Sequence, residues 1–226
     1  MFERILQDAP QFFAASNLLF IAQAMGRTLT MTLIGCGVGM LFGLLIAVVR
    51  ISTTPLLLPV RALLVLYVET FRRIPFLVIL FIVMFVIEPF VPGASLLAIA
   101  TVSVCLLATA FLSEVIRSGL ESVPPQQIEG ARSLNFSFLQ SLFMVILPQS
   151  WKVILPPAAA FIVMFIKDTS LASQLGVIEL TFAGKMLVNR GFSPVLGFGA
   201  ILVAYFILSY PLSRCAAYLE KRLASS

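Results

Sequence analysis

The chain contains no histidine and carries little charge of either sign. Charged types make up only 11% of the 226 residues, while apolar types reach 60% and the mean hydropathy is +1.07. A soluble domain carries about 25% charged residues. This chain has too little polarity to cover a water-facing surface, so the bilayer is its solvent. Without histidine the commonest metal ligand and the usual general base are missing, and no motif pairs a nucleophile with a base. The sequence therefore argues against an enzyme and assigns no catalytic residue and no metal site. Only three cysteines occur, Cys36, Cys105 and Cys215. Each lies in an apolar run without CxxC spacing and reads as a small hydrophobe. A phosphate-binding GxxxxGK[ST] loop is also absent: before Gly184-Lys185 the required glycine position holds Glu179, and Met186 follows. The first residues set Glu3 and Asp8 beside Arg4 alone, so they lack the basic opening of a cleavable signal peptide.

What the chain has in abundance is long uncharged runs. Thr28 to Val49 is an uncharged stretch of 22 residues, about 33 Å as a helix and enough for a roughly 30 Å hydrocarbon core. Gly35, Gly39 and Gly43 recur within it at four-residue spacing, which places them on one helix face for close packing against another helix. Further spans are expected at about 74–90, 94–113, 149–166 and 194–213. The fourth is expected to break at Pro156-Pro157. Residues 55–73 are apolar but interrupted by Arg61, Glu69, Arg72 and Arg73, and read as an interfacial helix anchored by those charges. Residues 167–193 read as a polar connector. No extramembrane segment is large enough for a separate domain, so residues 1–226 are expected to form a single transmembrane unit.

Five crossings place the termini on opposite sides. With the N-terminus outside, the cytoplasmic side holds Arg50, Arg61, Arg72, Arg73, Arg117, Arg132, Lys152, Arg214, Lys221 and Arg222, ten of the fifteen basic residues. The positive-inside rule selects that orientation, with the C-terminus in the cytoplasm. The same scatter of basic residues between apolar runs argues against a nucleic-acid-binding face.

The longest polar stretch, the loop 118–147, carries the most information. Pro124-Pro125 can start a helix, Glu129 falls in its first turns, where the helix dipole favours a carboxylate, and Asn135 can take the left-handed conformation that ends it. Ser137 can cap a second helix, on which Phe138, Leu142 and Val145 share a face. The residues alone fit either a plain amphipathic connector or a docking element of two sharply bent helices.

This loop resembles the EAA loop of ABC-importer permeases, through Glu129-Gly130-Ala131, then Asn135, then Val145-Ile146-Leu147-Pro148. Residues 26–185 more broadly resemble the polar amino-acid uptake branch, the histidine, glutamine, glutamate, arginine and opine permeases. The marks are Gly26-Arg-Thr-Leu29, Tyr67-Val-Glu-Thr-Phe-Arg72-Arg-Ile-Pro75, Ser113-Glu-Val-Ile-Arg-Ser-Gly119, Ile146-Leu-Pro-Gln149 and Lys167-Asp-Thr-Ser-Leu-Ala-Ser173. The chain departs from the pattern at Gly130, where the family usually has alanine, at Asn135, where it has glycine, and at Pro125-Gln126-Gln127, where it has Lys-Gly-Gln.

The resemblance implies an all-α integral membrane protein with the type I ABC-importer transmembrane fold, in the bacterial inner membrane. It implies a permease for polar amino acids, or alternatively for opines or another small polar solute, working by alternating access. It also implies three partners: an ABC ATPase homodimer, a second permease copy or paralogue, and a periplasmic amino-acid-binding protein. ATP and magnesium would be held by the ATPase, with no cofactor on this chain. Glu129, Gly130, Ala131, Asn135, Leu147 and Pro148 are the expected ATPase-coupling residues. Substrate-pathway candidates are Glu114, Lys167, Asp168, Thr169 and Ser170, because polar groups inside a membrane are costly. Glu114 with Arg117 fits a structural ion pair equally well, and residues 167–170 fit a plain helix end.

Overall fold

The computed structural model describes residues 2–224; Met1, Ser225 and Ser226, at the ends of the expected unit, lie outside the described residues. Its central contact is between α2 (Ala15–Ile51) and α5 (Leu96–Glu121), where glycine brings the two backbones together. A Cβ on Gly39 would lie 2.8 Å from the Ala108 Cβ, and one on Gly43 would lie 2.9 Å from the Ser113 nitrogen. Gly35 meets Val104 in the same way. The two series of residues rise together, so α2 and α5 run parallel. The opposite face of α2 shows Leu33, Leu41 and Leu45 to the surroundings. Small residues inside and large apolar residues outside is the pattern of a lipid-embedded helix.

Two parallel neighbours require the chain between them to recross. That stretch holds a bent pair, α3 (Leu58–Arg73) and α4 (Phe76–Ile87), whose course turns through 118°. Pro75 makes the bend: its ring holds Ile74 extended at ψ 135°, ending α3, and α4 starts directly after it. α4 has 12 residues, about 18 Å, too short to cross a roughly 30 Å core alone. α3 and α4 together are long and apolar enough for one bent crossing, and α4 lies within the span expected at 74–90. Phe76, Ile79, Leu80 and Val83 of α4 are buried with Ile99, Ala100 and Val104 of α5.

α8 (Leu147–Asp168) runs antiparallel to α5. Phe111 meets Phe161 and Phe165 at centroid distances of 5.3 and 6.2 Å, whereas Gly119 lies against Ile154. Pro156-Pro157 does not break this helix. Ile154, Ala158 and Phe165 on either side are fully buried, and that packing holds the course of the chain although two backbone donors are missing.

A 3₁₀ segment, Thr169–Leu175, ends at Gly176 with φ +89°. The stretch expected to be a polar connector then forms the helix α9 (Leu180–Asn189), with Leu180, Ala183 and Leu187 buried. α10 (Pro194–Ala224) continues through Pro211, well past the expected end at 213. At its start the Ser193 N–H donates to the Asp8 carboxylate at 2.9 Å. Asp8 lies on α1 (Phe2–Phe12), beside the beginning of α2, so α10 runs in the same direction as α2. α2, α5, α10 and the helix through α8 are each long and apolar enough to cross a membrane, and the bent pair, counted as one span, makes five. No strand occurs among the described residues.

Candidate functional site

Two polar features lie at the end of the bundle where α2 and α5 finish. The first is the elbow. α6 (Pro125–Ser133) begins at a proline and closes with paired backbone bonds, Phe136 N–H to Ala131 O at 3.1 Å and Asn135 N–H to Arg132 O at 2.9 Å. This is the Schellman arrangement, which needs a left-handed residue at Asn135. Asn135 has φ +57° and is alone among the described non-glycine residues with positive φ. The chain then turns into α7 (Phe138–Ser141), capped reciprocally by Ser137 and Gln140 at 2.8 and 3.3 Å.

The second arm is not a separate short helix. A π turn, Leu142–Ile146, joins α7 to α8. The extra residue in that turn accommodates Pro148, whose ring and missing N–H would clash with a regular α-turn. The Gln149 side chain donates to the Val145 carbonyl at 3.0 Å. The elbow leaves Glu129, Gly130 and Pro148 exposed and Leu147 partly so. Ala131 is buried, and Ile128 and Val123 pack with Leu142 and Ile146. Nothing lies within 4 Å of a Cβ placed on Gly130. One side of α6 thus grips the bundle while the other exposes Glu129 and Arg132 around the bare backbone of Gly130.

The second feature is a charge cluster. The Glu114 carboxylate accepts from Arg50 of α2 at 2.8 Å and from Arg117 one turn along α5, and Arg72 of α3 stands 3.8 Å away. Arg117 also pairs with Glu121, and Arg73 with Glu69. Glu114 and Arg117 therefore do form an ion pair, within a larger cluster that joins α2, α3 and α5. Beside it a cavity of about 320 Å³ opens between α5 and α8.

Residues 39–225 match the family described as binding-protein-dependent transport system inner membrane component. The chain belongs to that family. It is 32% identical over 215 residues to the probable glutamine ABC transporter permease protein GlnP of Bacillus subtilis (strain 168), covering 93% of this chain and 96% of that one. It is also 32% identical over 197 residues to the L-cystine transport system permease protein TcyB of the same organism, covering 87% and 83%. A crystal structure of an amino acid ABC transporter with histidines superposes with a TM-score of 0.81 at 25% identity, covering 91% of this chain and 94% of that one. The methionine ABC transporter MetNI, in an inward-facing form, gives 0.81 at 20% identity over 93% and 99%, a likeness of fold. The chain is thus an amino-acid ABC-importer permease with the type I fold. It is a multi-pass inner-membrane protein and the non-enzymatic subunit of its transporter.

The permease does not bring its sequence-derived candidates together. Glu114 lies near Pro157 on α8, and Lys167 is ten residues further on, roughly 15 Å of helix rise. Lys167 is exposed in a groove with Tyr205, Ser209 and Tyr210 of α10. Thr169 is buried and donates to the Ile166 carbonyl at 2.8 Å. Asp168 and Ser170 are partly buried.

Sequence reasoning missed the most deeply buried carboxylate among the described residues, Glu179. It is fully buried, caps α9 by accepting from Phe182 N–H at 2.8 Å, and accepts from the Tyr205 hydroxyl at 2.8 Å. Thr181 and Tyr205 share a further bond at 3.0 Å. Burial pushes the Glu179 carboxyl above its ordinary value, against the lowering effect of these donors. The signal in the sequence was a lone acid inside Leu175-Gly-Val-Ile-Glu-Leu180.

Proposed function

We propose that the permease carries polar amino acids inward across the membrane, driven by a separate ATPase that docks on α6. The observation that carries this reading is the elbow. A helix with an exposed acid at Glu129 and no side chain at Gly130 is fixed by a Schellman turn at Asn135 and leads through α7 and the π turn into α8 without a break. Such a helix suits insertion into a groove on a partner, with Leu147 and Pro148 at the start of the transmembrane arm. In this reading ATP and magnesium are bound by the ATPase homodimer, and this chain holds no cofactor. A second permease copy or paralogue completes the membrane unit, and a periplasmic binding protein delivers cargo. The N-terminus lies outside and the C-terminus in the cytoplasm. ATP-driven closure of the ATPase pair moves the elbows together and switches the helices between outward- and inward-open states. The names of the relatives, for glutamine and cystine, support a polar amino acid as cargo.

The test is Glu129→Lys in the intact transporter. Copurification of the ATPase and amino-acid uptake are both expected to be lost, with membrane insertion unchanged. Uptake at the wild-type rate in that variant sinks the docking role. A reporter fused at the C-terminus and active only in the periplasm overturns the orientation.

A further inference from the structure

Where α2, α3 and α5 converge, arginines outnumber carboxylates. Arg50, Arg73 and Arg117 each donate hydrogen bonds to Glu114, Glu69 or Glu121. Arg72 donates to none of them. Its nearest carboxylate oxygen is Glu114 Oε2 at 3.8 Å, and that oxygen already accepts from Arg50 at 2.8 Å. The Arg72 guanidinium instead lies over the Phe111 ring, 5.9 Å from its centroid. It borders the cavity of about 320 Å³ and an adjoining one of about 270 Å³.

This arrangement suits an anion entering the cavity. The cation is held in place by an aromatic face, yet its donors are unspent. A guanidinium presents a flat fork that matches a carboxylate. The cavity is lined by Phe111, Pro157 and Phe161 and by the charged Arg72, Glu114 and Arg117, and its size falls at the low end for small-molecule sites; the Glu114 carboxylate there is already neutralised by Arg50 and Arg117. Arg73 differs: its side chain is 77% exposed, against 35% for Arg72, and it already holds Glu69. Of the two, Arg73 is therefore the one placed to face the membrane surface.

We propose that Arg72 receives the α-carboxylate of the amino acid as it passes the α3–α4 elbow. This rests on the importer reading above and deepens it. The contact recognises what all amino acids share, so it defines the cargo class and leaves side-chain selection to other residues. The carboxylate displaces no hydrogen bond of Arg72 and competes only with its longer, 3.8 Å approach to Glu114.

The experiment uses the whole transporter in proteoliposomes, with its ATPase and binding protein. The probes are L-glutamine, L-cystine, L-glutamate and L-arginine, and amino acid carried is compared with ATP hydrolysed. Arg72→Gln is expected to lower uptake of the carried amino acid by about tenfold or more, the value of a lost charged hydrogen bond. Assembly and ATP hydrolysis should stay unchanged. Arg72→Lys, which keeps the charge without the fork, should give an intermediate ratio of cargo to ATP. Wild-type uptake in Arg72→Gln overturns the assignment while leaving the importer reading intact. A loss that tracks the content of anionic lipid, or that falls in step with ATP hydrolysis, assigns Arg72 to anchoring and also overturns it. If Arg72→Gln does not assemble, Arg72→Lys decides, and an unchanged ratio there is the overturning result. Absence of uptake of any probe by the wild type overturns both readings.

Discussion

Arg50 and Glu114 join α2 to α5 through a single 2.8 Å ion pair, in the last turn of α2 and next to the glycine seam. Glu114 also serves Arg117 and stands near Arg72, so three arginines converge on this carboxylate. Replacing it by glutamine leaves those cations without their shared counter-charge. Glu114→Gln is expected to destabilise the permease by about 2–3 kcal/mol, below the loss for a fully buried pair because its side chain is partly accessible. Thermal unfolding of the purified transporter checks this. Arg50→Gln should cost less, since Arg117 still neutralises Glu114.

The seam itself makes a steeper prediction. A methyl group at Gly39 would approach the Ala108 Cβ to 2.8 Å, and one at Gly43 would approach the Ser113 backbone nitrogen to 2.9 Å. Helix backbones cannot yield locally, so α2 and α5 must separate. Gly39→Leu is expected to abolish accumulation of folded protein, and Gly43→Ala to lower stability by about 1–3 kcal/mol. Gly37, with nothing within 4 Å, is the control: Gly37→Ala should be tolerated. Measured yield and melting temperature of the three variants separate packing from helix propensity.

Asn135 sits in the left-handed region, where a Cβ costs about 1–2 kcal/mol unless the residue tolerates it. Asn135→Gly should preserve the elbow and ATPase copurification. Asn135→Val should weaken copurification while leaving the membrane helices inserted. Equal copurification in both variants would show that the turn does not fix the docking geometry.

Glu179 predicts a pH dependence whose sign is fixed by its environment. Burial raises its carboxyl in the folded state above the ordinary 4.5, so the folded protein holds this proton more tightly than the unfolded chain. That contribution to stability is complete below about 4.5 and is lost as pH rises through the raised folded value. Glu179→Gln keeps an acceptor for Phe182 N–H and removes the titration. The melting temperature of the wild type relative to this variant should therefore fall with rising pH and then level off. A difference that is flat from acid to neutral pH contradicts the prediction.

The parts of this molecule that depend on local chemistry were legible in the sequence. Composition alone gave the bilayer, and the proline, asparagine and serine of the loop announced a helix start, a turn and a cap where the structure has them. Relations between distant segments were not legible. Nothing near Pro75 reveals that the course of the chain turns through 118° there. Pro156-Pro157 looked like a break because the packing of Ile154 and Phe165 that keeps α8 continuous comes from other helices. Among the candidate site residues, Glu114 stood out as a charge in an apolar run, but its partner Arg50 lies 64 positions away. Glu179 was hidden because the segment around it reads as polar connector, and only α9 and Tyr205 give it an enclosed setting.

The π turn at Leu142–Ile146 carries the chain past Pro148 without a break, so Phe138 to Asp168 form one continuous helical course about 45 Å long. Under the proposed docking of an ATPase on α6, a displacement at the elbow would be passed along this course like a lever, with the Ile154–Gly119 contact as its fulcrum. The stroke at Lys167 would then follow from the length of helix on either side of that contact.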